Sequence, residues 1–348
     1  MIDYKAFLAN YDGPHMNIIE VCGTHTAAIS RCGIEGMLSP NIHLISGPGC
    51  PVCVTVTAYI DRLLQLCMEP DTVVVTFGDM LHVAGSRQSL SDAKALGGQV
   101  AMVYSPMDTL KLAAADKAKT FVFAAVGFET TTPVYAMLLE EAIRNGITNI
   151  KLLTSLKTMP QVIDWVCRKQ GGIDAFLAPG HVSTITGSDL FTGLSQEFHI
   201  PFAVAGFEGE PILAALYALV KCRGQARVMN LYPSVVTAKG NELAQHIVQK
   251  YFTPSDAAWR GMGIIEGSGM QLREEYSRFD AGSAQLLADH EHNPNCRCAQ
   301  VLTGAIDPTQ CPLFGTACTP QSQQGACMVS TEGSCYNYYV NKRQPTRR

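Results

Sequence analysis

Through the first two thirds of the chain, short continuous apolar runs alternate with longer segments whose apolar positions recur every three or four residues. The runs, rich in β-branched side chains, predict strands at Asn17–Val21, His43–Ser46, Thr72–Phe77, Val100–Tyr104, Thr120–Val126, Ile150–Thr154, Ala175–Leu177 and Phe202–Ala205. Between them, Val56, Tyr59, Ile60, Leu63, Leu64 and Cys67 fall on one face of a helix. Strands that are apolar on both faces and separated by helices belong to parallel sheets covered on both sides. The fold class is therefore α/β. Eight strands divide most simply into two four-stranded, Rossmann-like parallel-sheet units facing a cleft. The alanine- and lysine-rich stretch Ala113–Thr120 offers a place to separate residues 1–115 from residues 116–235.

Beyond Tyr232 the texture changes. Asn241–Tyr251 reads as a helix and Ala257–Gly269 is rich in glycine. From Asp289 onward the chain is loop-like and crowded with Cys, Pro, Gly and Gln. Such a segment has too little apolar content to fold alone, so a bound inorganic centre is its natural staple. Residues 236–348 are accordingly expected to form a third unit around such a centre, which the family resemblance given below makes an iron–sulfur unit.

Composition narrows the class. Apolar residues make up 47% of the 348 residues and charged residues 16%, which supplies buried cores and argues against disorder. Net charge is −4, and the basic run at the very end reads as a solvated terminus, so no nucleic-acid surface is expected. The opening residues lack the basic-then-apolar layout of a signal peptide. The longest apolar runs, Phe121–Val126 and Ile212–Val220, are far short of a membrane span. A cytoplasmic, membrane-free protein is expected. In that compartment thirteen cysteines read as metal ligands, redox groups and core fillers rather than as a disulfide frame.

The cysteines form two groups. Near the start, Cys22 ends an apolar run and precedes Gly23, Thr24 and His25, with a helix beginning near Thr24. A thiol at a strand-to-helix turn sees the positive helix end, which favours thiolate. A buried structural cysteine fits the same turn. Cys50-Pro51-Val52-Cys53 follows Gly47-Pro48-Gly49 and opens a helix near Thr55, the layout of thioredoxin-like dithiols, in which the first sulfur is exposed and acidified. Half of a zinc site is the rival, although no second Cys-x-x-Cys stands elsewhere. At the end of the chain, Cys298, Cys311, Cys318 and Cys335 form the strongest metal signal, with Cys296 and Cys327 as surplus. Four thiolates suit either an iron–sulfur cluster or zinc. Cys32, Cys67, Cys167 and Cys222 sit on helical patterns and read as core.

Three strands end in a glycine followed by a carboxylate: Thr76-Phe77-Gly78-Asp79, Gly127-Phe128-Glu129 and Gly206-Phe207-Glu208. His181 follows another strand, in Ala178-Pro179-Gly180-His181. The carboxyl edge is where open α/β sheets build their sites. Asp79, Asp108, Glu129, Glu208 and His181 are therefore candidate cleft residues, against the plainer reading of solvated turns. There is no Walker loop, and Gly261-Met262-Gly263 has neither the spacing nor the preceding strand of a dinucleotide fingerprint.

Taken in order, Cys22-Gly23-Thr24-His25, Gly47–Cys53, Thr76–Asp79, Tyr104–Asp108, Gly127–Thr131, Ala178–Ser183, Ala205–Glu208 and Gln310–Gly315 resemble the hydrogenase maturation protein HypD family over nearly the whole chain. The resemblance implies two α/β units facing a cleft and a C-terminal part carrying a 4Fe–4S cluster. It implies a scaffold for building the Fe(CN)2CO unit of nickel–iron hydrogenase, in complex with a small HypC-type chaperone and with cyanide from a HypE-type donor. On that basis Cys22 would hold the iron transiently and Cys50 and Cys53 would form the redox dithiol. Cys298, Cys311, Cys318 and Cys335 would ligate the cluster, while His25, Glu129, His181 and Glu208 would line the site. Two departures stand out: a short extension before Met16, and no proline before the glycine of Leu81–Leu90. The competing classes are a cluster-fed thiol–disulfide oxidoreductase and a structural zinc protein.

Overall fold

Apolar strands that must bury both faces settle here into two sheets. The computed structural model describes residues 3–284, 286–290 and 293–342. Its strands are β1 (Met16–Glu20), β2 (Ile42–Ser46), β3 (Thr72–Thr76), β4 (Val100–Met102), β5 (Thr120–Gly127), β6 (Ile150–Lys157), β7 (Ala175–Ala178), β8 (Phe202–Val204), β9 (Val228–Asn230), β10 (Phe252–Trp259) and β11 (Gly263–Leu272). The first sheet has the order β2-β1-β7-β8-β9 and is parallel throughout. The second has the order β10-β11-β6-β5-β3-β4, parallel from β6 to β4. Its other edge is an antiparallel hairpin, β10–β11, laid against β6. The α/β class and all eight expected strands are present.

The domain boundaries differ from the expectation. A cut near residue 115 passes through the second sheet, because β3 and β4 precede it while β5 and β6 follow. The first sheet takes β1 and β2 from one stretch of chain and β7 to β9 from another. Periodicity identifies a strand and its faces but not the sheet it joins, so an interleaved chain path is invisible to it.

The hairpin was not expected either. Pro254, Asp256 and four glycines in and beside β11 weaken the strand signal. Gly269 is nonetheless required there. An added Cβ would lie 2.8 Å from the Ala257 Cβ, where the pairing shifts register between Ser255 and Ala257.

The C-terminal residues form no separate core. Residues 252–272 complete the second sheet, and the tail thiols enter an apolar cluster shared with both sheets. That cluster joins Ile19, Phe176 and Val204 of the first sheet to Phe128 beyond β5 and Trp259 of the hairpin. It also contains Cys50, Cys53, Cys298, Cys318, Cys327 and Cys335. The basic run at 343–348 lies outside the described residues. Among the described residues no helix is long and apolar enough to cross a membrane.

Phe176 anchors the shared cluster, fully buried and stacked on Phe202 at 4.9 Å. Phe176→Ala is expected to lower the unfolding free energy by about 3–5 kcal/mol, measured by urea titration. A cost below about 1 kcal/mol would show that this cluster does not hold the sheets together.

Candidate functional site

The site begins where β1 ends. Cys22 is the residue before the helix Gly23–Arg31, and the loop after β2 runs directly alongside it. Gly47 N–H donates to the Glu20 carbonyl at 2.8 Å, and Gly23 N–H donates to the Gly49 carbonyl at 3.0 Å. A Cβ on Gly49 would lie 2.3 Å from the Cys22 nitrogen, so only glycine lets the two loops touch. The glycine before Cys50 thus serves the approach of one sulfur loop to the other.

Cys50 and Cys53 are joined in a disulfide, and Cys53 N–H also points at Cys50 Sγ at 3.2 Å. The following helix opens at Thr57, two residues later than expected. The two sulfurs are not arranged as in an exposed thioredoxin-like pair: Cys50 is 4% exposed and Cys53 0%. The thiolate expected at Cys22 is absent as well. Burial pushes its thiol up to about 12, and the nearby carboxylates of Glu20 and Glu332 add to that, against opposing amides of His25 and Thr24. The helix end is outweighed by desolvation.

Five polar residues, Glu20, Thr26, Ser46, Glu332 and Ser334, complete this edge without having been singled out in the sequence. Glu20, buried on β1, accepts from Cys22 N–H at 3.0 Å, from Ser46 Oγ at 2.7 Å and from the Thr26 hydroxyl. Burial raises its carboxyl to about 7. Ser46 Oγ meets Ser334 Oγ at 2.7 Å, and Thr24 Oγ1 donates to Glu332 at 3.0 Å. A lone carboxylate closing an otherwise apolar strand was the available signal for Glu20; Glu332 and Ser334 carried none.

Of the predicted cleft residues, His25 and His181 come together and the carboxylates do not. His25 is fully buried, with Nε2–H donating to the Gly206 carbonyl at 3.2 Å. Burial lowers it to about 4, so the ring is neutral, and its Nδ1 has no partner among the described residues. Phe207 stacks on both rings, 4.8 Å from His25 and 4.2 Å from His181. His181 Nδ1 lies 3.4 Å from the Thr24 hydroxyl. Glu208 is exposed ahead of the helix Gly209–Lys221. Glu129 belongs to the other sheet, where Oε1 accepts from Met159 N–H at 2.8 Å and Oε2 has no partner among the described residues. Burial raises it to about 7. Asp79, also on that edge, accepts from Ser330 Oγ at 3.2 Å.

The tail crosses between these edges, tied to one through Ser330 and Asp79 and to the other through Glu332 and Ser334. Its cysteines converge. Cys298 Sγ lies 2.7 Å from Cys327 Sγ, and thiol donors from Cys296 and Cys327 hold Cys298 well below its ordinary value. Cys327 is pushed up by Cys298 and Cys335, and Cys318 accepts from Gln324 N–H at 3.4 Å. Cys311, Cys318 and Cys335 are buried in the same region. Cys296 and Cys327, which spacing left as surplus, are therefore members of the group.

The donor chemistry suits a thiolate-held iron–sulfur or zinc centre. Two sulfurs on one tetrahedral metal stand about 3.8 Å apart for bonds of about 2.3 Å, so the close Cys298–Cys327 pair would have to open for both to ligate one ion. Among the described residues no three His, Cys, Asp or Glu side chains stand ready to hold a metal ion. Head and tail groups meet at one point: Cys53 Sγ lies 3.9 Å from the carbonyl oxygen of Ala326, the residue before Cys327.

Comparison with known proteins gives a consistent picture. A family model named HypD, described as the hydrogenase formation hypA family, matches residues 5–342. The chain is 42% identical over 338 residues to hydrogenase maturation factor HypD of Escherichia coli, covering 94% of this chain and 90% of that one. It is 40% identical over 340 residues to the same-named factor of Rhizobium leguminosarum, covering 94% and 88%. It is 39% identical over 338 residues to a hydrogenase expression/formation protein of Methanocaldococcus jannaschii, covering 94% and 92%.

Two measurements check the local reading. Gly49→Ala forces a methyl group into the Cys22 backbone and is expected to cost about 2–3 kcal/mol in chemical denaturation. An unchanged midpoint would mean the two sulfur loops are not in contact. For Glu129 the linkage is signed by its raised value. Between about 4.5 and 7 the native state binds the proton that the unfolded state releases, so stability falls as pH rises through that window. Relative to Glu129→Gln, the unmodified chain is expected to lose on the order of 2 kcal/mol between pH 4.5 and 7.5; parallel pH profiles would refute this.

Proposed function

The chain belongs to the HypD family of hydrogenase maturation factors, and from that premise we propose that it is the scaffold on which the Fe(CN)2CO unit of nickel–iron hydrogenase is assembled. In this reading Cys22 holds the iron unit, Cys50 and Cys53 form the redox dithiol, and Cys298, Cys311, Cys318 and Cys335 hold a 4Fe–4S cluster. A small HypC-type chaperone and a HypE-type cyanide donor are the partners.

One observation carries the reading. The disulfide and the tail thiols occupy one buried cluster, with Cys53 Sγ 3.9 Å from Ala326 O beside Cys327, while the Cys22 loop is stitched to the disulfide loop through Gly49. Electrons stored at the tail have a short, dry route to the dithiol, and the dithiol lies next to the thiol that would carry the cargo. When bound, the cluster supplies single electrons. The disulfide consumes two electrons and two protons on becoming a dithiol, and returns them on closing.

The chain's own groups fit the cargo's chemistry. Low-valent iron with CO and cyanide is soft, and a cysteine sulfur is a suitable anchor. Metal binding must displace the proton that burial keeps on Cys22, which couples loading to proton release. The Thr24 hydroxyl gives its proton to Glu332, which leaves the His181 ring at the same edge as a donor for anionic cyanide nitrogens. Neutral His25, anchored by the Gly206 carbonyl, holds Phe207 between itself and His181 without adding charge.

Burial also weighs against the oxidoreductase reading. A dithiol that serves external protein disulfides presents its first sulfur to solvent, whereas Cys50 and Cys53 are sealed in the core. Their exchange is with groups inside the molecule.

The test is infrared spectroscopy of the anaerobically isolated chain with its small partner. Bands in the cyanide and carbonyl region are expected for the unmodified chain and are expected to be lost in Cys22→Ala, with the brown visible absorption of the cluster retained. Cys311→Ala is expected to lose that absorption. Undiminished cyanide bands in Cys22→Ala would sink the assignment.

A further inference from the structure

Arg260 is a buried cation without an obvious counter-charge. It closes β10 at the hairpin turn and is 9% exposed. Its backbone N–H donates to the Val54 carbonyl at 2.9 Å and its Nε–H to the Thr55 carbonyl at 2.8 Å. These acceptors directly follow Cys53, so the guanidinium is fastened to the disulfide loop. Its Nη2 has no hydrogen-bond partner among the described residues. No carboxylate forms an ion pair with it among them either.

Arg260 lines a small cavity whose other walls include Cys296, Cys298, Asp289 and Gln324. Asp289 is engaged elsewhere, Oδ1 accepting from Thr57 N–H at 3.2 Å and Oδ2 from Gly261 N–H at 3.1 Å. Those amides leave the Asp289 charge in place, but neither of its oxygens forms an ion pair with Arg260 among the described residues, and the sulfurs are the other groups in the cavity able to carry negative charge. A buried, unpaired charge is costly, and one facing thiolates is offset by them.

We propose that Arg260 is the buried counter-charge of the tail's sulfur-held centre, fixing that centre's electron affinity from an anchor on the Cys50–Cys53 loop. The inference rests on the proposed iron–sulfur reading and adds a positioning residue that no ligand spacing indicates. Each electron entering a thiolate-held centre adds negative charge in a region of low dielectric. A fixed cation there favours the reduced state and raises the midpoint potential. Because the same side chain is hydrogen-bonded to Thr55, two residues after Cys53, and lines the cavity with Cys296 and Cys298, its charge is shared by the disulfide loop and the tail sulfurs.

The test is an EPR-monitored redox titration of the anaerobically isolated full chain. Arg260→Met is expected to lower the midpoint potential by at least about 59 mV, a tenfold change in the reduced-to-oxidised ratio of a one-electron couple at fixed poise. Arg260→Lys keeps the charge and is expected to stay near the unmodified value. An unmoved potential in Arg260→Met overturns the inference, and so does an equal fall in both variants. Should Arg260→Met fail to hold iron, the polar, uncharged Arg260→Gln takes its place: a fall of at least about 59 mV supports the proposal and an unmoved potential overturns it. A colourless, zinc-loaded unmodified chain would refute the iron–sulfur reading and this inference together, whereas a brown chain with an unmoved potential refutes this inference alone.

Discussion

Desolvation of sulfur governs this molecule. The disulfide and most of the tail thiols lie in one apolar cluster that also holds the sheets together, and Cys22 is buried beside the disulfide loop. Water is therefore unavailable to stabilise a thiolate, and each cysteine's state is set by the few polar groups within reach. Where burial acts with carboxylates, as at Cys22, the thiol is held protonated; where other thiols donate, as at Cys298, it is pushed the opposite way. Sulfurs in the same core thus differ in state because their neighbours differ. The fold and the chemistry share one cause, since the packing that stabilises the sheets also decides which sulfurs carry charge.

The chain path follows from this arrangement. Strands β1 and β2 enter the first sheet, the disulfide loop leads away from it, and β3 to β6 form the second before β7 returns. The crossing between sheets therefore runs through Cys50 and Cys53 themselves. The tail spans the same junction from the other side, fastened by Ser330 to Asp79 and by Ser334 to Ser46. Removing the tail would unseat both edges, which accounts for the lack of a separate C-terminal core.

What the sequence disclosed, and what it withheld, divides along physical lines. Strands apolar on both faces declare themselves, so β1 to β8 were legible. The hairpin β10–β11 was not, because its glycines and Pro254 serve a bulged, half-exposed edge rather than a buried run. Cysteine spacing disclosed where sulfur collects but not which sulfurs meet: Cys327 proved to lie against Cys298. Turn motifs disclosed candidate acids without their sheet, so Glu129 and Glu208 stand on different edges. Burial is the quantity least accessible to motif reading. It reversed the expected state of Cys22 and the expected exposure of Cys50.

The same quantity explains the charge economy of the unloaded site. Neutral His25, a protonated Cys22 and a carboxyl at Glu20 raised to about 7 together give an edge with little fixed charge near neutral pH. An edge so composed has no strong field with which to capture a stray cation, and any soft metal that enters must displace a proton to bind. Under the proposed scaffold role, such an edge would favour cargo delivered with its own ligands over simple hydrated ions, which would lose hydration without gaining a ready thiolate. Selectivity in such a site comes from the cost of burial rather than from a preformed set of charged ligands.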